Sequence, residues 1–522
     1  MSADKKLNPN GHQLSVKLAE SRQSGERKPS GQVINVAGVG RFVSTAYEQL
    51  RNAAEYAQEH LLIQNAIRRF FVRNLSFQNH NQPSQTIAEE LVIELTQSGY
   101  IQNNTILVSV VNKLGKSIQK YYENYWRMKL SGADDRIAES WTLDLLSLKS
   151  EDVLLPGAIQ TDYLQFAYHH YCGILDKKAF ALNKAEVDEF EVSVYVAVHR
   201  ALFKSDIAAV RYDMQKLYKA SDSNINEYID FHQNIDKVFA SELTNKIVRY
   251  INKYGAPLRI LKSMIADSDN VAELMADSAQ FDRAYTNQIK KEYRKSEKKL
   301  NGGLLKSIVF LLITKTLVGF AIEVPYDLIT TGVVLMVPLI VNMLTPIVYL
   351  ALLRLGFQLP GDANARAIRL YADDMLYGDI NQVNLYPSIK EKKYPVSFTI
   401  AYALLFLTVF AGVSYILMIL DFNIVQGVMF FMFLAAASFL GFRLSRIVRE
   451  LELVTVKPGI LMTIRDLIFT PFTFLGKWIS DKYQKVNVVA LVLDTFIELP
   501  LKTVLRLLRQ WTGFIDDKKD SF

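Results

Sequence analysis

Lys315 stands inside an otherwise apolar stretch, residues 304–325, where a cation at the centre of a lipid-crossing helix costs about 2.5–3.5 kcal/mol on insertion scales. Its ammonium must therefore face protein or water. Two chemistries follow. It is either a charged site in an anion or proton pathway between helices, or a structural donor bonded across a helix bundle. The polar partners within reach of a structural donor are Asn342, Thr345 and Tyr349 in the next apolar stretch, and Ser414 in the third. Pro338 and Pro346 bracket Asn342, and each removes a helix hydrogen bond, so a bent helix with freed carbonyls is expected there. Glu323 and Asp327 read as members of a short loop beyond the first stretch. On that reading no companion charge shares the depth of Lys315, and the structural role is favoured.

Other clusters carry weaker chemistry. Tyr168-His169-His170-Tyr171-Cys172, together with His199 and the acids Glu186, Asp188, Glu189 and Glu191, contains metal-ligating residue types. Adjacent histidines on a helix point about 100° apart, however, so ordinary histidines and a solvated acidic face are expected instead. Cys172, the single cysteine, excludes an intramolecular disulfide and a cysteine-based zinc site, and reads as a small core residue. The patterns GxxxxGK[ST], HExxH, GxSxG and GxGxxG do not occur. The expectation is a noncatalytic protein with no cofactor. Arg68, Arg69 and Arg73 lack the interleaved aromatics of a single-strand reader, so no nucleic-acid partner is expected.

The elements that must hold Lys315 are four apolar runs, at residues 304–325, 328–353, 398–420 and 424–442. As helices they measure roughly 28–39 Å, which matches a hydrocarbon core of about 30 Å. Lys290, Lys291, Arg294, Lys295, Lys298 and Lys299 precede the first run; Arg354, Arg366 and Lys390 lie in the 354–397 connection; Arg443, Arg446 and Arg449 follow the fourth. The two short loops carry acids and no cation. This one-sided distribution predicts an integral membrane protein of bacterial-type inner or plasma membrane, with both termini and the 354–397 loop in the cytoplasm. The 290–299 cluster would then lie against an anionic bilayer face, where each Lys or Arg gains about 1 kcal/mol.

The rest of the chain is helical in pattern. Residues 1–40 read as a flexible basic tail in which Pro9 and Gly11 break any helix. Residues 41–300 repeat apolar positions at three and four, as in Val43, Ala46, Leu50, Ala53 and Ala57. A division near 150–160 is expected, and Thr86 and Glu89 have capping-box spacing. Residues 443–522 read as amphipathic helices, one near 460–480 bent at Pro471 and one near 486–510 with a polar stripe through Asn487, Asp494 and Glu498. The 522 residues are 50% hydrophobic and 22% charged, with 60 Lys and Arg against 53 Asp and Glu. With a mean hydropathy of +0.08, that average combines two unlike parts.

The fold class is therefore all-α: a cytosolic multi-helix domain, then a four-helix transmembrane region at 304–442, then C-terminal amphipathic helices. The expected function is a membrane-tethered interaction or regulatory scaffold, with a protein partner or a homo-oligomer possible. The alternative is an oligomeric ion channel or transporter with a cytosolic regulatory domain.

Overall fold

A computed structural model describes residues 5–25, 31–36, 44, 45, 48, 59–78, 83–155, 158–180, 187–218, 223–268, 270–356, 360–378, 395–454, 467, 469–475, 477, 478 and 511. The described residues are mostly helical, with one isolated bridge between Val33 and Leu107 and no strand among them. The chain divides into two compact units. One comprises residues 13–251 and 487–522, the other residues 1–12 and 252–486. The helical region expected to run to 300 thus divides at 251, and its last helices group with the apolar ones.

In the first unit the helices are α2 (Glu59–Asn74), α3 (Ser84–Gln97), α4 (Val108–Leu130), α5 (Asp135–Leu154), α6 (Ala158–Ile174), α7 (Phe190–Val198), α8 (Ile207–Leu217) and α9 (Ile225–Ala240); α10 (Glu242–Tyr254) runs across the division. The α4 sequence buries Val111, Leu114, Ile118, Tyr122 and Tyr125, one face at helical spacing, against α3 and α5. Phe70, Phe71, Leu91 and Leu146 complete that core. Gly99 ends α3 at φ +83°, where a side chain would strain the backbone, and lets Tyr100 N donate to Leu95 O at 3.0 Å. The Thr86–Glu89 capping box does not form. The helix begins earlier, at Ser84, with Pro83 in the cap position, because proline's fixed φ suits a helix start that needs no N–H.

The expectation that Pro9 and Gly11 break any helix is overturned: α1 spans Pro9–Gly25. Proline at the first helical position lacks only an N–H that would be unpaired anyway. Gly11 stands where an added Cβ would meet Leu376 O at 2.8 Å.

The second unit contains α11 (Ala256–Asp267), α12 (Val271–Ala276), α13 (Ser278–Val318), a π-turn (Gly319–Glu323), α14 (Val324–Thr330), α15 (Met336–Gly356), α16 (Asp362–Tyr377), α17 (Val396–Ile419) and α18 (Ile424–Arg449). Four helical runs are long and apolar enough to cross a membrane: 278–330, 336–354, 396–419 and 424–449. The first differs from expectation. It is one uninterrupted run of 53 residues that joins the basic segment to the apolar one, so Glu323 and Asp327 belong to helical turns rather than to a loop. Likewise the 354–397 connection carries a helix, α16; residues 379–394 lie outside the described residues.

Packing within the bundle centres on α18, which lies against both α13 and α15. Gly441 suits this approach, since an added Cβ would meet the Leu353 side chain, and Ala437 on the same face is buried. Small residues at four-residue spacing here serve close approach inside the bundle. In contrast, α17 exposes apolar side chains along its length, including Phe398, Leu404, Leu407 and Ile416. Of the proposed 460–480 helix, residues 469–475 are helical and set Phe472 5.2 Å from the Phe410 ring. The 486–510 stripe lies outside the described residues.

Beyond the apolar segments, Asn364 on α16 ties this unit together. Its amide donates to Tyr293 Oη and Leu451 O, both at 2.8 Å, and its carbonyl accepts from Leu453 N at 2.7 Å and Val454 N at 2.8 Å. Asn8 donates to Met375 O at 3.0 Å, and Tyr377 to Met275 O at 2.9 Å. Asn364→Ala would strand two backbone N–H groups and a carbonyl in a buried place, each costing about 1–3 kcal/mol. We expect a lowered thermal midpoint in detergent and faster proteolytic nicking between Glu450 and Val454 than in the wild-type protein.

Candidate functional site

The polar side chains of the apolar bundle converge around the π-turn. Lys315 is 2% exposed, and Glu323, Asn342 and Gln426 are fully buried. Lys315 Nζ pairs with Glu323 Oε1, and the same oxygen accepts from Asn342 Nδ2 at 3.1 Å. Asn342 Nδ2 also donates to Gln426 O at 3.2 Å. One aromatic face contributes: the Phe433 ring centroid lies 4.6 Å from Lys315 Nζ. Glu323 Oε2 and Asn342 Oδ1, both buried, have no hydrogen-bond partner among the described residues.

One helical turn further on, Asp327 joins two chain reversals. It accepts from Leu335 N at 3.2 Å, from Asn423 Nδ2 at 2.8 Å, and from Gln426 Nε2 at 3.1 and 2.9 Å. The donors are aimed by local structure. Asn423 and Gln426 form a capping box at the start of α18, Gln426 N donating to Asn423 Oδ1 at 2.8 Å and Asn423 N to Gln426 Oε1 at 3.1 Å. Each amide's carbonyl is thereby held at the helix end, and each NH2 turns toward Asp327.

The partners expected for Lys315 are only partly those observed. Asn342 enters the cluster through Glu323. Thr345 bonds its own helix at Val341 O (2.7 Å), and Tyr349 sits elsewhere, 2.9 Å from Ser438 Oγ. The expectation of no companion charge is overturned, because Glu323 is helical and buried. Residues missed by the sequence reading are Glu323, Asp327, Asn423 and Gln426; the available signal was the Asn-x-x-Gln spacing before an apolar run. Pro338 falls in the first turn of α15, where no N–H is needed, and Pro346 lies inside the helix.

On α13 the basic cluster is sorted by face. Phe281, Tyr285, Ile289 and Leu300 are buried, whereas Lys290, Lys291, Arg294, Lys295, Lys298 and Lys299 are exposed. Lys291 pairs with Asp267 at 3.0 Å and Lys295 with Glu292 at 3.8 Å.

The other unit has its own buried charges. Arg211 bonds Asp144 at 2.9 Å and also Asp236, and lies over the Trp141 ring at 5.4 Å. Arg68 shares Asp144 at 2.9 Å, Arg69 pairs with Glu48 at 3.0 Å, and Arg73 with Glu94. The three arginines weighed as a nucleic-acid patch are thus each turned to an acid. Burial pushes Glu151 up to about 7, helped by Asp152, Asp206 and Asp213, and pushes Asp213 up to about 6. His170 and His199 are lowered by burial to about 4 and about 3, and Cys172 is raised to about 11, which leaves little thiolate. Among the described residues no three His, Cys, Asp or Glu side chains converge as metal ligands.

No protein-family model matches the chain, and neither a curated protein nor a solved structure does.

Two outcomes follow from these geometries. Lys315→Met removes one partner of the buried Lys315–Glu323 pair, a change that typically costs about 3–5 kcal/mol. A thermal-unfolding series in detergent should show a large loss for the single variant and recovery of most of it in Lys315→Met with Glu323→Gln. In the other unit, native Glu151 keeps its proton to about pH 7, whereas the unfolded chain releases it near 4.5. The native state therefore loses this contribution as pH rises through that window. Glu151→Gln should weaken the decline in stability of wild type between pH 4.5 and 7, read by circular dichroism melts; an identical pH profile would contradict the assignment.

Proposed function

We propose that the chain is a multi-pass integral membrane protein acting as a noncatalytic, membrane-tethered scaffold, with its helical domain on the cytoplasmic face. The observation that carries this reading is the use of the buried polar groups to join helices. Asp327 bridges the turn after α14 to the start of α18, and Lys315 is matched by Glu323. An anchor needs a fixed bundle, and buried polar pairs are best attested as devices for register. The exposed apolar length of α17 suits contact with lipid.

Sidedness rests on two supports. Residues 5–12, α16, the early part of α13 and residues 450–454 are linked by hydrogen bonds, which suits a common side of the bilayer. The basic residues of that side make it the cytoplasm. Lys290, Arg294, Lys298 and Lys299 would then face anionic headgroups, with each contribution screened by salt. A second reading, an oligomeric channel or transporter, is favoured by one feature: the π-turn that carries Glu323, since such turns recur at functional sites.

Reconstituted into liposomes, the full chain should give no ion flux above empty vesicles, while crosslinking in cells captures partners through the helical domain. Robust flux would move the assignment to the second reading. In a Cys172→Ala background, Thr331→Cys should label from outside intact cells and Asp362→Cys should not; the reverse pattern would invert the topology.

A further inference from the structure

Among the described residues the intramembrane cluster is one positive charge short. Lys315 supplies a single cation, while Glu323 and Asp327 supply two carboxylates. The groups facing them from α15 and α18 are neutral: Asn342, Asn423, Gln426 and the Phe433 ring. A net negative charge held in an apolar bundle has a large desolvation cost. The hydrogen bonds locate the deficit. Asp327 accepts at both oxygens, from Asn423 and Gln426 at Oδ1 and from Leu335 N and Gln426 at Oδ2. Among the described residues Glu323 accepts only at Oε1, and its buried Oε2 meets no donor.

Asn342 is hydrogen-bonded to the same carboxylate. Its Nδ2 lies between two acceptors, Glu323 Oε1 and Gln426 O, at 3.1 and 3.2 Å. Reversing the amide would set oxygen against oxygen at both contacts, so the orientation is fixed and Oδ1 remains a second buried acceptor without a partner. Two linked side chains, each fully buried, thus present one oxygen apiece that has no partner among the described residues. One incoming positive charge would both neutralise the cluster and engage both atoms.

We propose that this cluster is a binding site for one monovalent cation, a proton or an alkali ion, held between Glu323 Oε2 and Asn342 Oδ1. A proton would sit on Oε2 and donate to Oδ1; an alkali ion would take both oxygens as ligands. The site lies one helical turn from Asp327 and hence near the chain reversal at 331–335. The proposal does not depend on the scaffold reading: a bound cation would complete the structure of an anchor as readily as it would occupy a pathway.

The test uses the full-length protein in detergent, with its thermal midpoint followed in two arms. In the first, sodium or potassium replaces choline at constant ionic strength. In the second, pH is varied in choline alone, and only the difference between wild type and Glu323→Gln is read, because Glu151 and Asp213 contribute their own pH dependence. Binding to the native state raises the midpoint with the logarithm of ligand concentration. An alkali-ion site gives a rising midpoint in the first arm that vanishes in Glu323→Gln. A proton site leaves the first arm flat and gives a wild-type midpoint that rises on acidification relative to the variant. Asn342→Asp, which adds a carboxylate at the second ligand, should steepen whichever dependence is present. Flat responses in both arms overturn the proposal, as does a dependence retained in full by Glu323→Gln. Should that variant not fold, an unchanged response in Asn342→Asp overturns it equally.

Discussion

A charge cannot remain alone in an apolar bundle, and the local geometry of the four apolar helices answers to that constraint at Lys315. In a regular α-helix, residues eight apart are separated by about 800°, or about 80° around the axis, so Lys315 and Glu323 would point to different sides. The π-turn over Gly319–Glu323 removes the mismatch. Its i to i+5 bond, Val324 N to Gly319 O, accommodates one extra residue within a turn. Residue 323 then occupies about the place of an i+7 position, which lies on the same face as residue 315. A local defect in helical winding brings the carboxylate to the ammonium.

The same constraint orders the reversal beyond it. Once Glu323 faces the bundle, Asp327 one turn later faces it too, and an unscreened second carboxylate needs donors. They come from the capping box of α18, whose two amides use their oxygens on the helix end and have NH2 groups to spare. A feature that starts one helix therefore also ties it to another. Gly441 packs against the Leu353 and Leu350 side chains of α15, and the polar contacts fix the rotation of α18. Packing alone tolerates several apolar arrangements; directional bonds between named pairs select among them.

This accounts for what could be read from the amino-acid sequence. The four apolar helices were legible because length and composition determine them. The pairing of Lys315 was not, since α-helical periodicity puts Glu323 on the wrong face and an acid after an apolar run resembles a loop residue. The helical start at Pro9 was missed for a related reason: proline breaks a helix only where its N–H is needed, and at a first turn it is not. Helix α16 was hidden by length, because 16 amphipathic residues inside a charged connection carry a weaker signal than a span. Asn364, the residue that anchors α16, has no pattern at all; its role exists only where Tyr293 and residues 451–454 meet it.

The arrangement also bears on why such a cluster is kept. Well-packed hydrophobic residues of similar volume often replace a buried ion pair without loss of stability, so stability alone is a weak reason for Lys315 and Glu323. Specificity is a better one. The pair works only when the π-turn forms, when α15 presents Asn342, and when α18 presents Gln426, so a bundle with a slipped or rotated helix loses several bonds together. For helices surrounded by lipid, where apolar surface gives little preference between helix faces, such a cooperative loss is a strong means of choosing one assembly. Glu323 Oε2 and Asn342 Oδ1, which have no partner among the described residues, are the point at which this selection is incomplete there. A positive charge that completed it would favour the same assembly by the same bonds, which makes the fixed bundle and an occupied site two consequences of one geometry.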